Sequence, residues 1–398
     1  QPVSGFLRES LSADSLSVDT AQAIAASLYG QVSTLIVPAD YQAAECKSPE
    51  IATSAFAFAP VDEEMIPPAA TMLQEAKKAA LILGGRALRR KGLEAAAQIQ
   101  AKTGCDLLMV TFPAYFEAGA GLPVLKRIPY FPGQAQKFLA KYDAFILIGS
   151  PEPCAFFGYA EGVTSFLPEK APRLRIDTLK QDAALVLEEL SALLGKDEGK
   201  DRLAGMLAGL SIPERPGGVL TAPKMCQAIA ALQPENCIVV EEGISSGAYY
   251  YNYSPFLKPY AHMTLTGGAI GMGMPLALGA ALAAPDCQVI DIQADGSAMY
   301  TLQALWSQAH EKTKVITVIC SNRRYATIEL ECLRAGYKTL GQGAKSLMNM
   351  DSPALDWVSL SRGMGVPAAS VNTAEALVIE FQKAMAEDGP YLIEAVLE

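Results

Sequence analysis

Short, mostly apolar runs recur along the chain, each followed by a turn and then by residues with helical spacing. The clearest lie at 79–85, 107–110, 145–149, 238–240, 289–293, 315–320 and 392–396, with a shorter one at 174–176. Runs of this length, rich in Val, Ile and Leu, suit strands buried on both faces of a parallel sheet. Between them the pattern predicts helices, as at 91–102. Near the start, a helix is expected at 17–26 and a strand at 32–37.

Strands alternating with helices predict an α/β fold with two doubly wound, mainly parallel-sheet domains. Their expected bounds are 67–195 and 218–398. Residues 41–66, with Pro60 and the acidic Asp62-Glu63-Glu64, read as one linker, and the charged, Pro- and Gly-bearing 196–217 as a second. Residues 1–45 offer one helix and one strand, too little to bury a core, and read as the remnant of a third domain.

Composition narrows the function classes. The chain has 398 residues, 51% of them hydrophobic, and a net charge of −10. Its one basic cluster, Arg86, Arg89, Arg90 and Lys91, reads as a solvated helix face, so no nucleic-acid surface is expected. Eight scattered cysteines without a C-x-x-C pair read as reduced thiols of a cytoplasmic protein. The uncharged run 263–285 is long enough to cross a bilayer, but its glycines and Pro275 favour a strand-end loop feeding a buried helix, so no membrane is expected. Gly84-Gly85 follows a predicted strand, yet no G-x-G-x-x-G is present, and a nucleotide there is the less favoured reading.

The candidate chemistry sits at two strand ends. Asp295-Gly296-Ser297 follows the run 289–293, and Asn322, 27 residues after Asp295, follows the run 315–320. Ligands in such sheets bind beyond the carboxyl ends of the strands. A carboxylate and an amide oxygen placed there suit Mg²⁺ or Ca²⁺, and Mg²⁺ is commonly held by one or two protein oxygens plus substrate phosphates. Gly296 allows close backbone approach to an anion, and Ser297 adds a hydroxyl donor.

The block Ala294-Asp295-Gly296-Ser297, then Asn322-Arg323-Arg324-Tyr325, resembles the thiamine-diphosphate motif, G-D-G-S followed after a spacer by N-N. Ala294 stands for its first Gly and Ser321 for its first Asn. The segment Gly267-Gly268-Ala269-Ile270-Gly271-Met272-Gly273 resembles G-A-M-G-F-G of acetolactate synthases. Over essentially the whole chain the sequence is similar to the acetolactate synthase and benzoylformate decarboxylase branch of that family.

The resemblance implies the thiamine-diphosphate-binding fold, with residues 1–45 the end of a pyrimidine-binding domain and 67–195 a central Rossmann-like domain. It implies thiamine diphosphate and Mg²⁺ as cofactors, with FAD in the central domain less favoured. Asp295, Asn322 and the Arg324 carbonyl would hold the metal. Gly296, Ser297, Asn322, Tyr325 and Ala326 would line the diphosphate, with Ile244 and Ser245 as a second contact loop. Ile270 would bend the cofactor, and the Gly268 carbonyl would accept from its aminopyrimidine. The implied activity is decarboxylation or carboligation of a 2-oxoacid by a homodimer or homotetramer. The glutamate that activates the ring belongs to the pyrimidine domain in this family and has no counterpart in this sequence, so the chain by itself is expected to be inactive. Phe157 stands where benzoylformate decarboxylase carries a histidine. Tyr159, Tyr249, Tyr250, Met299 and Leu330 are candidate wall residues, and His262 a candidate site residue. A non-catalytic cofactor- or nucleotide-binding protein, or one subunit of a two-chain enzyme, remains the alternative.

Overall fold

A computed structural model describes residues 3–47, 56–159, 162–195 and 200–398. Residues 48–55 and 196–199 of the expected linkers lie outside them. The described strands form three sheets.

The first is a parallel pair, β1 (Phe6–Glu9) and β2 (Ser33–Ile36), joined by the helix Leu16–Ser27. The start of the chain is thus a strand–helix–strand unit rather than the helix and strand expected from the sequence. Arg8 and Glu9 hide β1 by breaking its apolar pattern. Arg8 reaches across to the helix instead, pairing with Asp19 at 3.1 Å and donating to Gln22 at 2.6 Å.

The second sheet holds β3 (Ala79–Leu83), β4 (Asp106–Met109), β6 (Lys126–Arg127), β7 (Ala144–Ile148) and β8 (Arg173–Arg175), all parallel, in the order β6-β4-β3-β7-β8. Every residue of β3 and β7 is buried, because helices cover both faces. The glycines after these strands serve that packing. A side chain on Gly149, which has φ +63°, would overlap the Gly84 carbonyl, and one on Gly84 would lie 2.6 Å from the Gly149 carbonyl. Two strand ends therefore press together where the sequence hints at a phosphate loop.

The third sheet has the order β13-β14-β12-β11-β9-β10-β5. It comprises β5 (Tyr115–Ala118), β9 (Ile238–Glu242), β10 (Tyr260–Thr264), β11 (Val289–Ala294), β12 (Val315–Ser321), β13 (Ala368–Val371) and β14 (Tyr391–Val396). All pairings are parallel except β5 against β10. β5 comes from the stretch between β4 and β6, so the chain crosses from the second sheet to the edge of the third and back. The uncharged run 263–285 divides into the end of β10, a glycine turn and the helix Gly273–Ala283. No described helix is long and apolar enough to cross a membrane. The basic cluster is partly engaged rather than simply solvated: Arg86 pairs with Asp182 and lies over Phe58, and the Arg90 amide donates to Glu117.

Because β12, β11, β9 and β10 are parallel neighbours, their carboxyl ends share one edge. Asn322, Asp295, Ile244 and the 267–271 turn all leave from that edge.

Candidate cofactor site

Asp295 is nearly fully buried at the first position of the short helix Asp295–Ala298. Its Oδ1 accepts from the Gly296 amide at 2.8 Å, and its Oδ2 from the Arg323 amide at 2.7 Å. The second bond ties the β11 and β12 ends together and brings Asn322 beside Asp295. Arg323 makes the turn with φ +55°. Asn322 Oδ1 accepts from the Arg324 amide at 3.1 Å. The Arg324 carbonyl accepts from Ala326 at 3.0 Å, and its guanidinium lies 3.5 Å from Glu329 on the following helix.

Burial pushes the Asp295 carboxyl above its ordinary 3.8, and the backbone donors from Arg323 and Gly296 only partly offset this. Among the described residues no Lys or Arg side chain pairs with it. A buried carboxylate without a cation is costly, and each of its oxygens keeps a free lone pair. The donor set of carboxylate, amide and carbonyl oxygens fits a hard divalent ion. Among the described residues no cluster of three or more His, Cys, Asp or Glu could hold a metal alone. A metal here would need oxygens from the molecule it binds with.

Gly296 and Tyr325 meet directly. A side chain on Gly296 would lie 2.5 Å from the Tyr325 ring. Tyr325 is held by its amide, which donates to Met348 at 2.9 Å. Ser297 is buried alongside, and Ala326 begins the helix Ala326–Arg334. Ile244 has φ +46°, a strained conformation for a β-branched residue. It opens the short helix Ile244–Gly247, which packs near the Ala326–Arg334 helix; Ser245 there is exposed.

Gly267, Gly268 and Gly271 have φ of +62°, +71° and +93°. Ile270 between them is half-buried. Thr301 donates to the Gly271 carbonyl at 2.7 Å. Phe157, 57% exposed, lies over this turn, its ring tip 3.8 Å from where a Gly268 side chain would start. Phe156 stacks with Tyr130 and meets Phe112 edge-on, extending an aromatic surface beside it.

Two candidates named from the sequence, Tyr250 and His262, lie in the core. Tyr250 is fully buried in the core and bonds Gln233, so it is no wall residue. His262 is fully buried on β10, stacked on Phe116 at 4.6 Å and on Tyr251 at 5.2 Å. Burial, aided by nearby Arg127, drives its pKa down to about 3, so it stays neutral and structural. Tyr249, Met299 and Leu330 are exposed, and Tyr159 lies under Arg334.

From sequence alone, Glu241 and Glu242 could be loop orienters or solvated acids. Both are buried and both orient loops. Glu241 accepts from the Ile244 amide at 3.0 Å, and Glu242 accepts from the amides of Gly271 and Gly273 and from Gln293. The available signal is two acids ending a buried strand directly before Gly243, a place where only surrounding donors make charge tolerable. Gln293 and Thr301 give no signal, since their partners are distant in sequence.

Burial raises Glu241 from 4.5 to about 7, against the lowering effects of Arg127 and the Ile244 amide. A carboxyl whose pKa is raised by folding favours the folded state below its unfolded pKa and loses that contribution as pH rises through the folded value. Stability to urea should therefore fall between about pH 4.5 and 7, by on the order of 3 kcal/mol from this group. Glu241→Gln should flatten that slope, and an unchanged slope in the variant would refute the assignment.

Residues 245–395 match the family described as thiamine pyrophosphate enzyme, C-terminal TPP binding domain. The chain is 38% identical over 398 residues to the putative acetolactate synthase large subunit IlvX of Mycobacterium tuberculosis, covering 99% of this chain and 76% of that one. The chain belongs to the thiamine-diphosphate-dependent enzymes. Benzoylformate decarboxylase of Pseudomonas aeruginosa is 30% identical over 272 residues, covering 65% of this chain and 49% of its own length. In fold, this thiamine-diphosphate enzyme resembles the Rhodococcus jostii RHA1 4-hydroxybenzoylformate decarboxylase, with a TM-score of 0.79 at 24% identity over 100% of this chain and 77% of that one. The β12, β11 and β10 ends described above fall within the family-matched region.

Proposed function

We propose that this chain binds thiamine diphosphate through Mg²⁺ at the β11–β12 edge and serves a 2-oxoacid decarboxylase or carboligase. The reading rests on the 2.7 Å bond from the Arg323 amide to Asp295, which sets a buried, cation-free carboxylate beside Asn322. Asp295, Asn322 and the Arg324 carbonyl would hold the metal. Gly296, Ser297, Asn322, Tyr325 and Ala326 would face the diphosphate from one side, and Ile244 and Ser245 from the other. Gly268 and Ile270 would receive the ring end. Residues 218–398 would then be the diphosphate-binding domain, 67–195 the central domain and 1–45 part of a pyrimidine-binding domain, assembled as a cytoplasmic homodimer or homotetramer.

When bound, thiamine diphosphate supplies the nucleophilic carbon and electron sink that 2-oxoacid chemistry requires. This chain's contribution is to orient it and keep water away. Phe157 over Gly268 presents a ring instead of a titratable group, so no proton shuttle stands there. Together with Phe156 it favours a 2-oxoacid with an apolar side chain. The acids beside the site are already engaged: Glu241 and Glu242 by backbone donors, Glu394 by the Ser321 hydroxyl and Glu329 by Arg324. The carboxylate that activates the ring would therefore come from another polypeptide segment.

Carbon dioxide release from benzoylformate and pyruvate tests this reading. The loaded chain alone should bind cofactor without turnover, and adding a polypeptide that carries the activating carboxylate should restore release. Full turnover by the chain alone would contradict it.

A further inference from the structure

Adjacent residues on a strand point to opposite faces of the sheet. Glu241 and Glu242 end β9, between the strand that leads to Asp295 and the strand that leads to the glycine turn. Neither side chain pairs with a Lys or Arg within salt-bridge distance among the described residues. Each is instead met by donors from a different loop.

On one face, Glu242 collects three N–H groups. Gly271 and Gly273 supply backbone amides, the latter at 2.6 Å, and Gln293 on β11 supplies its side-chain amide at 3.0 Å. Gly273 has no space for more, since an added side chain would overlap Gln293 Oε1 and lie 2.8 Å from Glu242 Oε2. On the other face, Glu241 accepts from the strained Ile244 amide at 3.0 Å and lies against Gly247, where any side chain would overlap its Oε1. Tyr251 donates to its second oxygen at 3.4 Å.

The sheet order separates the two loops. The Ile244–Gly247 turn leaves β9, next to β11 and near the Tyr325 helix. The glycine turn leaves β10, on the far side of β9 from Asp295. A ligand whose phosphates sit at Asp295 and Asn322 would meet the Ile244 turn with its phosphate end and the glycine turn with its other end. Building on the cofactor reading above, we propose that Glu241–Glu242 is a two-faced positioning pair: Glu242 sets the turn that receives the ring end of the cofactor, and Glu241 sets the turn that receives its phosphate end.

Hydrogen bonds from several donors converging on one carboxylate are geometrically strict. A glutamine at 242 keeps the shape but turns an NH₂ group toward at least one of those donors. The loop then shifts while the sheet beneath it stays. A loss of packing alone would weaken every ligand together; a positioning role predicts a split.

Calorimetric titration with Mg²⁺ plus thiamine diphosphate, and separately with Mg²⁺ plus inorganic pyrophosphate, reads that split. Glu242→Gln should weaken thiamine diphosphate about tenfold or more and leave pyrophosphate within about threefold. Glu241→Gln should weaken both by similar factors. Thr301→Val, which removes the tether on the Gly271 carbonyl at 2.7 Å, should repeat the Glu242→Gln pattern more mildly and serves if that variant fails to fold. Equal losses for both ligands in the Glu242→Gln or Thr301→Val protein, or no loss, would overturn the positioning pair while leaving the cofactor reading standing. Failure of the unsubstituted chain to bind either ligand would overturn both.

Discussion

Asp295→Ala should reduce affinity for thiamine diphosphate in Mg²⁺ by at least about 100-fold, measured by calorimetry. The change removes the carboxylate that joins the ends of β11 and β12 through the Arg323 amide. Bonds to a charged acceptor contribute roughly 1.5–3 kcal/mol each, and the metal loses its one anionic protein ligand. Folding stability should move far less, by about 1 kcal/mol or under, because two effects oppose. The Gly296 and Arg323 amides lose their acceptor, while a buried charge with no cationic partner is removed. Asp295→Asn should fall between wild type and Ala in affinity, keeping an oxygen but no charge. A large loss of stability with unchanged affinity would mean that Asp295 is a structural cap and not a ligand.

Gly273→Ala carries the second large effect, this time on the fold. The new methyl would overlap Gln293 Oε1 and press on Glu242 Oε2 inside a fully buried cluster. Neither group can retreat freely, since Gln293 donates its side-chain amide to Glu242 and Glu242 accepts from the Gly271 and Gly273 amides. Overpacking of this kind costs about 1–3 kcal/mol. The expected result is a lower urea midpoint by that amount, together with weaker thiamine diphosphate binding. Gly279→Ala, in the same helix with open space around it, is the control and should be neutral or slightly stabilising. Equal behaviour of the two variants would show that the cluster is looser than described.

The α/β fold is legible in the sequence because β3, β7, β9, β11, β12 and β14 are mostly apolar runs, the pattern of strands buried on both faces. The strands that escape such a reading are mostly short edge or crossing strands, together with the interior β10, whose run Tyr260–Thr264 mixes polar and apolar residues. β1 carries Arg8 and Glu9 toward solvent and the helix, β6 has two residues, and β5 leaves its neighbours in sequence to pair with β10. Nothing local in Tyr115–Ala118 announces a partner at Tyr260–Thr264.

At the site, Asp295 and Asn322 stand out because each follows a strand, and chain order plus parallel pairing carries both to one edge. The Glu241–Glu242 arrangement is not legible to the same degree. Its meaning depends on which loop each face of β9 meets, and the donors to Glu242 arrive from Gly271, Gly273 and Gln293, between 29 and 51 residues away. His262 misleads in the opposite sense. Its residue type suggests chemistry, but the stacked rings of Phe116 and Tyr251 enclose it, and burial keeps it neutral.

The most direct measurement is calorimetric titration of thiamine diphosphate into the unsubstituted chain, first with Mg²⁺ and then with the metal removed by EDTA. One cofactor per chain in Mg²⁺, with binding lost in EDTA and Mg²⁺ alone binding only weakly, is the result predicted by a single buried carboxylate that needs the diphosphate to complete the metal's oxygen shell. Binding of equal strength with and without the metal, or no binding in Mg²⁺, would contradict the assignment of the β11–β12 edge as a metal–diphosphate site.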